Sequence, residues 1–429
     1  MRPSIHVERG TFRECVDRWV RSSLDSDTTA WASLVASLPS VYPGTVLESL
    51  QRQRLVHRVR FPGKAVGPGS QQQQPQSNWL VETLEPTPHP LDSCWRFNQG
   101  TVRLLVREIL TTTKEDAVVV LLGIPTLLQE GVETLSPRRL VLLDSDELAV
   151  SSASGHTTHS ALRCDVLRDT LPRLRSPLVI ADPPWYPQQM RAFLWAARHL
   201  CARGARVLMS IPPMGTRPGI PDEWAQLSEW AARLGLLIES YRPQYLKYLM
   251  PPFERNALDA AAVPQPPEDW RRGDLAVFRC VKRARATRPQ AVDEEGWEEI
   301  RVQSVRVRVR VETLARWDDP ALKGLVPGDV VPSVSRRYPL RGVANVWTSG
   351  NRAFHSKGAW PLIAILKALE AGCDPVKALQ TLFPVTPQRE RQILHAAAQL
   401  RRLVRTEARE LGLRKRARAG LEAPAPERS

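Results

Sequence analysis

The stretch Val179-Ile-Ala-Asp-Pro-Pro-Trp185 decides the fold class of this chain. Its apolar first half is typical of a buried strand in a parallel sheet, and it ends abruptly in an acid, two prolines and an aromatic residue. In open α/β sheets, ligands bind beyond the carboxyl ends of the strands. We therefore expect Asp182 to stand at the mouth of a sheet, on a turn that Pro183 and Pro184 make rigid.

This turn offers the groups that a primary amine needs. The carboxylate of Asp182 and the carbonyl of Pro183 can each accept one N–H, which leaves the nitrogen lone pair free to attack a methyl group. Trp185 or Tyr186 supplies a flat face on which an extruded base could stack. The alternative interpretation is an ordinary turn after a buried strand.

Strand-like and helix-like segments alternate around this turn, from Leu91 to Arg285. The alternation predicts a mostly parallel α/β sheet. The predicted strands are Ala117–Leu122, Arg139–Leu143, Leu178–Ala181, Ala205–Ile211, Leu236–Tyr241 and Leu275–Val281. The predicted helices are Gln99–Leu110, Pro187–Arg203 and Pro221–Leu234.

With this order of elements, the Asp-Pro-Pro-Trp motif resembles the class I S-adenosylmethionine-dependent methyltransferases, in particular their amine-methylating Asp-Pro-Pro-Tyr/Trp branch of N6-adenine type. The resemblance covers about Leu91 to Lys282 and implies a Rossmann-like core whose last strand is antiparallel. It implies S-adenosylmethionine as the cofactor, bound by Gly123, Asp144 and Asp165. The catalytic residues that it implies are Asp182, Pro183, Pro184 and Trp185.

The chain departs from this family at two places. The usual Gly-x-Gly loop is reduced to Gly123, with Pro125 two residues later. The RNA adenosine methylases that carry Trp after the two prolines place that motif ahead of the cofactor loop, whereas here the loop comes first. Trp185 is therefore not evidence for messenger RNA as the substrate.

Further candidates lie on both sides of the core. Tyr186, Phe253 and Arg255 are candidates for substrate binding, the last two in a predicted target-binding loop, Met250–Asn256. A segment before the first helix could close over the cofactor through Asp92, Trp95 and Arg96, or could simply anchor the core. His156 and His159 form an H-x-x-H pattern without further ligands, so no metal site is expected.

The ends of the chain are predicted to form separate domains. Residues 1–90 read as a small helical cap or a winged helix, with strand-like runs at 55–61 and 79–84. Residues 91–285 form the methyltransferase-like domain. Residues 286–429 form a basic α+β region that starts with a strand over Val302–Val311 and ends in helices from Ala359 onward. Arg306, Arg308 and Arg310 are expected on one face of that strand.

Charge favours an anionic partner, with nucleic acid as the predicted one. The chain has 60 Lys and Arg against 45 Asp and Glu, a net charge of +15. The excess is densest in residues 389–418, with ten Lys or Arg against three Glu. Six cysteines without paired spacing and no apolar run of membrane length predict a cytoplasmic protein without a membrane contact.

The favoured function is N-methylation of an exocyclic amine, with adenine N6 of DNA or RNA as the target. Three alternatives stay open. A protein lysine could replace adenine, because the motif only asks for an amino group. Aminopropyl transfer to a polyamine is possible, because branched-polyamine synthases have a similar sheet and motif, although a polycation would need extra carboxylates. A non-catalytic nucleic-acid-binding scaffold would explain the missing second glycine.

Overall fold

The computed structural model places most of the chain in two compact units. It describes residues 11–24, 28–62, 87–92, 95–153, 159–282, 286–291, 296–311, 316–335 and 338–422. The first unit comprises residues 1–61, 95–250 and 265–293, and the second comprises residues 62–94, 251–264 and 294–429. Among the described helices, none is long and apolar enough to cross a membrane.

The first unit is an α/β structure around a seven-stranded sheet. Its strands are β3 (Val118–Leu122), β4 (Arg139–Asp144), β5 (Ser160–Arg163), β6 (Ser176–Ala181), β7 (Cys201–Ile211), β8 (Leu236–Lys247) and β9 (Arg272–Cys280). The helices between them are α4 (Gln99–Thr112), α5 (Pro125–Leu135), α6 (Glu147–Ala153), α7 (Pro187–Leu200) and α8 (Ile220–Arg233). An N-terminal segment adds α1 (Phe12–Ser22), β1 (Thr29–Ala30), α2 (Trp31–Ser37), α3 (Pro43–Arg52) and β2 (Val59–Arg60).

The strand order is β5-β4-β3-β6-β7-β9-β8. The first five strands in this order are parallel, and β9 runs antiparallel between β7 and β8. This arrangement confirms the predicted Rossmann-like core with its terminal antiparallel strand. Side chains of β3 alternate between two apolar layers, with Val120 and Leu122 on one face and Val119 and Leu121 on the other. Both faces are buried, as crossover helices require.

All six predicted strands of the core are present, with boundaries shifted by a few residues. The pattern missed β5, a four-residue edge strand whose exposed Leu162 and Arg163 give little alternation. It also missed α5, because Pro125 was interpreted only as part of a loop. Proline favours the first turn of a helix, where its missing N–H costs nothing, and α5 begins there.

The N-terminal helices do not form a compact unit of their own. They pack on the core through buried hydrogen bonds: the Trp270 indole donates to the carbonyl of Val35 at 3.2 Å, and Ser40 bonds the backbone of Arg272. The predicted domain boundary at residue 90 therefore differs from the boundaries of the two compact units. Of the first strand-like run, residues 55–61, only Val59–Arg60 is a strand, β2, and it pairs in parallel with β1. Its predicted hairpin partner, residues 79–84, lies outside the described residues, so the winged helix stays a prediction.

The second unit joins an antiparallel sheet to helices. It contains α9 (Pro252–Ala260), β10 (Trp297–Val302), β11 (Val305–Arg310), β12 (Lys323–Gly324), β13 (Val346–Thr348), β14 (Ala353–His355), α10 (Ala359–Glu370), α11 (Pro375–Gln380) and α12 (Pro387–Glu422). The sheet order is β10-β11-β13-β14-β12, and α10 and α12 cover its apolar face. The predicted helices from Ala359 onward are confirmed, and Asp374 and Thr386 cap the starts of α11 and α12, since both side chains accept backbone N–H groups of the next turn.

The predicted target-binding loop is a helix instead. Pro252 occupies the first turn of α9, and Phe253 is buried with only 2% of its surface exposed. Asn256 donates to the carbonyl of Gly350 at 2.8 Å within the same unit. The structure thus gives Phe253 a packing position, and the substrate contacts of Phe253 and Arg255 stay predictions.

Candidate active site

Four neighbouring strands end at one edge of the large sheet, and backbone hydrogen bonds align their ends. The N–H of Asp182 donates to Leu122 at 3.0 Å, and that of Gly123 donates to Leu143 at 3.0 Å. The N–H of Cys164 donates to Asp144 at 2.8 Å. The structure therefore brings the residues after β3, β4, β5 and β6 to the same edge, namely Gly123, Asp144, Asp165 and Asp182.

Gly123 turns the chain from β3 into α5 with φ = +71°, a left-handed conformation that favours glycine. A Cβ atom at this position would lie 3.2 Å from the carbonyl oxygen of Asp182 and 3.3 Å from the ring of Phe193. The loop therefore runs directly beside the Asp182-Pro-Pro-Trp185 motif. The first turn of α5 follows at once, and its backbone N–H groups are oriented to receive an anionic group such as a carboxylate.

Asp144 and Asp165 end the two outer strands of this edge. One oxygen of Asp144 accepts the backbone N–H of Asp146 at 2.9 Å. Burial raises the pKa of Asp144 to about 6, while the backbone N–H of Asp146 and the nearby Arg96 act in the opposite direction. Both carboxylate oxygens of Asp165 already accept a hydrogen bond, one from the backbone N–H of Leu167 at 2.8 Å and one from Arg168 at 3.1 Å.

Asp182 is the central acid of the site and is partly accessible. Burial raises its pKa to about 7, the hydroxyl groups of Tyr248 and Ser210 oppose this rise, and the neighbouring Asp144 adds to it. Among the described residues, no N–H or O–H donates to the carbonyl of Pro183, whereas Oδ1 of Asp182 accepts from Tyr248. The carboxylate is thus held close to the point at which it changes charge near neutral pH.

A chain of hydrogen bonds links the two ends of the motif. The Trp185 indole donates to the hydroxyl of Ser210 at 3.0 Å, and Ser210 lies 2.6 Å from the phenol oxygen of Tyr248. Tyr248 in turn donates to Oδ1 of Asp182 at 2.7 Å. Sequence analysis missed Ser210 and Tyr248, since neither belongs to a recognisable motif.

Aromatic rings enclose Tyr248. The centres of Phe97, Trp185 and Trp95 lie 4.8, 5.6 and 6.4 Å from that of Tyr248. The guanidinium of Arg271 lies over Trp95 at 4.9 Å and is buried. Trp95 and Arg96 therefore lie in the first unit near the site, and Phe97 anchors the core.

The other side of the motif is held by an arginine that follows β7. Arg217 donates to the carbonyl of Trp185 at 2.7 Å and pairs with Glu223. Its guanidinium lies 6.0 Å from the ring centre of Tyr186, the residue that precedes α7. Tyr186 therefore contacts a cation of the chain itself, and its role in substrate binding stays a prediction.

By its sequence, the basic strand of the second unit is either a candidate surface for nucleic acid or a solvated face, and the structure pairs two of its arginines with carboxylates. Arg306 and Arg308 each pair with both Asp92 and Glu299, and Arg306 keeps only 8% of its side chain exposed. Arg310 stacks on Trp297 at 5.0 Å. The carboxylates neutralise Arg306 and Arg308, which leaves no charge for an external phosphate, and Asp92 is engaged there rather than at a cofactor.

Helix α12 presents its charge differently. Its buried face contains Ile393, Leu400 and Val404 in the apolar core of the second unit. The opposite face carries exposed basic residues at helical spacing. They are Arg391, Arg401, Arg402, Arg405 and Arg409.

No protein-family model and no curated protein matches the chain. Among solved structures, it is similar to the branched-chain polyamine synthase from Thermus thermophilus in complex with N4-aminopropylspermidine and 5′-methylthioadenosine, at 15% identity over 65% of this chain and 90% of that chain, with a TM-score of 0.48. It is also similar to the N-methyltransferase NodS from Bradyrhizobium japonicum, at 15% identity over 43% of this chain and 99% of that chain, with a TM-score of 0.29.

A third similar structure is the TehB-like SAM-dependent methyltransferase from Corynebacterium glutamicum, at 12% identity over 41% of this chain and 86% of that chain. Its TM-score is 0.28. All three scores are below 0.5, so the assignment of the fold depends on the strand order described above. The roles of the individual site residues depend on their geometry alone.

Proposed function

We propose that this chain is an S-adenosylmethionine-dependent N-methyltransferase whose acceptor is an exocyclic amine, with adenine N6 of DNA or RNA as the target. One observation carries the proposal. The Asp182-Pro-Pro-Trp185 turn lies at the end of a central parallel strand, beside the glycine turn at Gly123 and the acid at Asp144. In sheets of this kind, that edge is where ligands bind.

The residues at this edge fit the cofactor. Asp144 is partly accessible and uses one oxygen for the N–H of Asp146, so its other oxygen suits the ribose hydroxyls. The N–H groups at the start of α5 suit the methionine carboxylate, and Gly123 lets the chain pass without a side chain in the way. Asp165 suits the adenine amine. The cofactor, when bound, supplies an electrophilic methyl group on a sulfonium.

Asp182 and Pro183 would act on the amine. Each accepts one N–H, which aims the nitrogen lone pair away from both oxygens and toward the methyl group. The nitrogen becomes positive as the N–C bond forms and the S–C bond breaks. The anionic Asp182 stabilises that charge, and one amine proton then leaves to Asp182 or to solvent. The half-buried ring of Trp185 can support a flat base.

The variant Asp182→Asn tests the proposal. Asparagine keeps the shape of the side chain but places a donor where the amine needs an acceptor. We expect methyl transfer to fall about 10²-fold or more, as when one preorganised polar contact to a reacting group is removed. Binding of S-adenosylmethionine, measured by calorimetry, should stay close to that of the wild type.

The matched control is Asp274→Asn. Asp274 is a second buried acid of the same unit, and it accepts a tyrosine hydroxyl as Asp182 does. This variant should retain methyl transfer. Full activity of Asp182→Asn would overturn the assignment of the motif.

The acceptor is identified by transfer of a radiolabelled methyl group to cell lysate. Label that nuclease releases, and that co-migrates with N6-methyladenine, supports the proposal. Label that protease releases would replace adenine by a protein amine. In a parallel assay with decarboxylated S-adenosylmethionine labelled in its aminopropyl chain, label in a polyamine would replace methylation altogether.

Nucleic acid is the partner that we propose for the exposed basic face of α12. The face consists of arginines whose neighbouring core positions are filled by apolar side chains, so its charge is directed outward. Arginine contacts to phosphate are independent of base sequence and position the substrate without selecting it. Their strength falls steeply as salt rises.

A further inference from the structure

We propose that Tyr248 is a positioning residue that, together with Ser210, fixes the Asp182 carboxylate as an oriented anion whose second oxygen receives the substrate amine. This inference rests on the proposed function and assigns a role to two residues outside the motif. Tyr248 and Ser210 are both buried, at 2% and 1% exposed, and neither can serve as a substrate contact in this arrangement.

When Asp182 is ionised, the hydrogen bonds between these residues run in one direction. An indole N–H can donate but cannot accept, so Ser210 receives its bond from Trp185. Tyr248 donates its proton to Asp182, so the bond between Ser210 and Tyr248 must be donated by Ser210. The three hydrogen bonds from Trp185 through Ser210 and Tyr248 therefore end on Asp182 as the acceptor. Hydrogen bonds that point the same way polarise one another, and this stabilises the negative charge of Asp182.

Tyr248 is held firmly enough to set this geometry. Its backbone N–H donates to Arg271 at 3.0 Å, and it forms an isolated bridge with Phe97. Gly273 gives its ring the space it needs, because a Cβ atom there would lie 3.1 Å from Tyr248 and 2.9 Å from Trp185. The rings of Tyr248 and Trp185 therefore both pack against the backbone of Gly273, which carries no side chain.

The bond occupies Oδ1 of Asp182 and leaves Oδ2 to accept an amine N–H. The charged groups that face this assembly are Asp144, which disfavours the anion, and Arg271, which lies on the far side of Tyr248. Burial also disfavours the anion. The hydroxyl groups of Tyr248 and Ser210 are therefore the contacts that keep Asp182 ionised close to neutral pH.

Tyr248→Phe tests this role, because it removes the donor and keeps the ring. Loss of a hydrogen bond to a charged group should raise the pKa of Asp182 by about 1 to 2 units. The acidic limb of kcat/KM against pH should move upward by the same amount. From a pKa of about 7, the ionised fraction at pH 7 falls from roughly half to between about 1% and 10%, and activity should recover as the pH rises through about 8 to 9. Ser210→Ala should shift the limb in the same direction by less.

Tyr241→Phe is the matched control. Tyr241 donates to the buried Asp274 in the same unit, and burial raises the pKa of that acid to about 6. This variant should leave the pH profile of methyl transfer where it is in the wild type. A loss of activity in Tyr248→Phe that is equal at all pH values would overturn the inference, since it would indicate a purely structural role.

A second measurement separates this inference from the proposed function. Carbon-13 NMR of the full-length protein labelled at its aspartate carboxyls gives the pKa of Asp182 without turnover, once Asp182→Asn has identified the signal. An upward shift in Tyr248→Phe supports the role of Tyr248 even if no amine is methylated, in which case the proposed function alone fails. An unchanged pKa overturns the role of Tyr248 even if the wild type is an active methyltransferase.

Discussion

Replacing Gly123 with alanine perturbs the point at which the loop proposed to hold the cofactor meets the Asp182-Pro-Pro-Trp185 turn. The residue has φ = +71°, and alanine in this left-handed conformation costs roughly 1 to 2 kcal/mol. Alanine also reduces the conformational entropy of the unfolded chain, which stabilises the folded state by about 0.4 to 1 kcal/mol. The backbone term alone therefore destabilises the first unit by about 1 kcal/mol.

The added methyl group has a second effect that is specific to this position. It would lie 3.2 Å from the carbonyl oxygen of Asp182 and 3.3 Å from Phe193, so one of these groups must move by a few tenths of an ångström. The carbonyl belongs to backbone and cannot rotate away. We expect the Kd for S-adenosylmethionine to rise about tenfold, equivalent to about 1.4 kcal/mol.

Gly204→Ala isolates the two effects. Gly204 also lies in the first unit with a positive φ of +82°, but no atom lies within 4 Å of its added Cβ. Urea unfolding should show a loss of about 1 kcal/mol for Gly204→Ala and a larger loss for Gly123→Ala. Calorimetry should show weaker cofactor binding only for Gly123→Ala. Equal cofactor affinity in both variants would refute the placement of the cofactor at this loop.

Two further predictions concern the second unit. Glu407→Gln should lower the free energy of unfolding of this unit by about 3 kcal/mol in urea, because the buried carboxylate accepts from the N–H of Gly350 and pairs with Arg352. The control Glu390→Gln, at an exposed position, should leave that free energy unchanged. Replacing three exposed arginines of α12 by glutamine should lower the slope of log affinity for duplex DNA against log salt by about 2 to 3, at about 0.9 per phosphate contact, and an unchanged slope would remove α12 from the interface. Point substitutions are needed because deletion of α12 would remove core residues. The three arginines are Arg402, Arg405 and Arg409.

The sequence predicted the large sheet well because both of its faces are buried. Strands such as Val118–Leu122 are continuous apolar runs, and the turns that follow them contain glycine, which permits a left-handed backbone, or proline, which fixes the backbone, as at Gly123 and Pro183. Strand ends in a parallel sheet meet at one edge, and the resemblance to the methyltransferases implies Gly123, Asp144 and Asp182 at that edge.

Charge was harder to interpret from sequence. The alternation of Val305–Arg310 correctly predicts a strand, but it cannot show that two of its arginines find carboxylates on Asp92 and Glu299. Asp92 lies more than 200 residues away in the sequence. A run of arginines indicates a binding surface only where the fold leaves it unpaired, as it does on the outer face of α12.

The position of Tyr248 depends on an irregularity that a strict period of two cannot reveal. The predicted strand stopped at Tyr241, whereas β8 continues to Lys247 with a register shift between Arg242 and Leu246. Gln244 within the shift has φ = +49°. A bulge of this kind redirects the side chains that follow it, and bulges are common beside active sites. The register shift changes which face of the sheet each later residue occupies. The alternation in the first half of β8 therefore does not predict the direction of the Tyr248 side chain. The contact between Tyr248 and Asp182 could be found only in the folded structure.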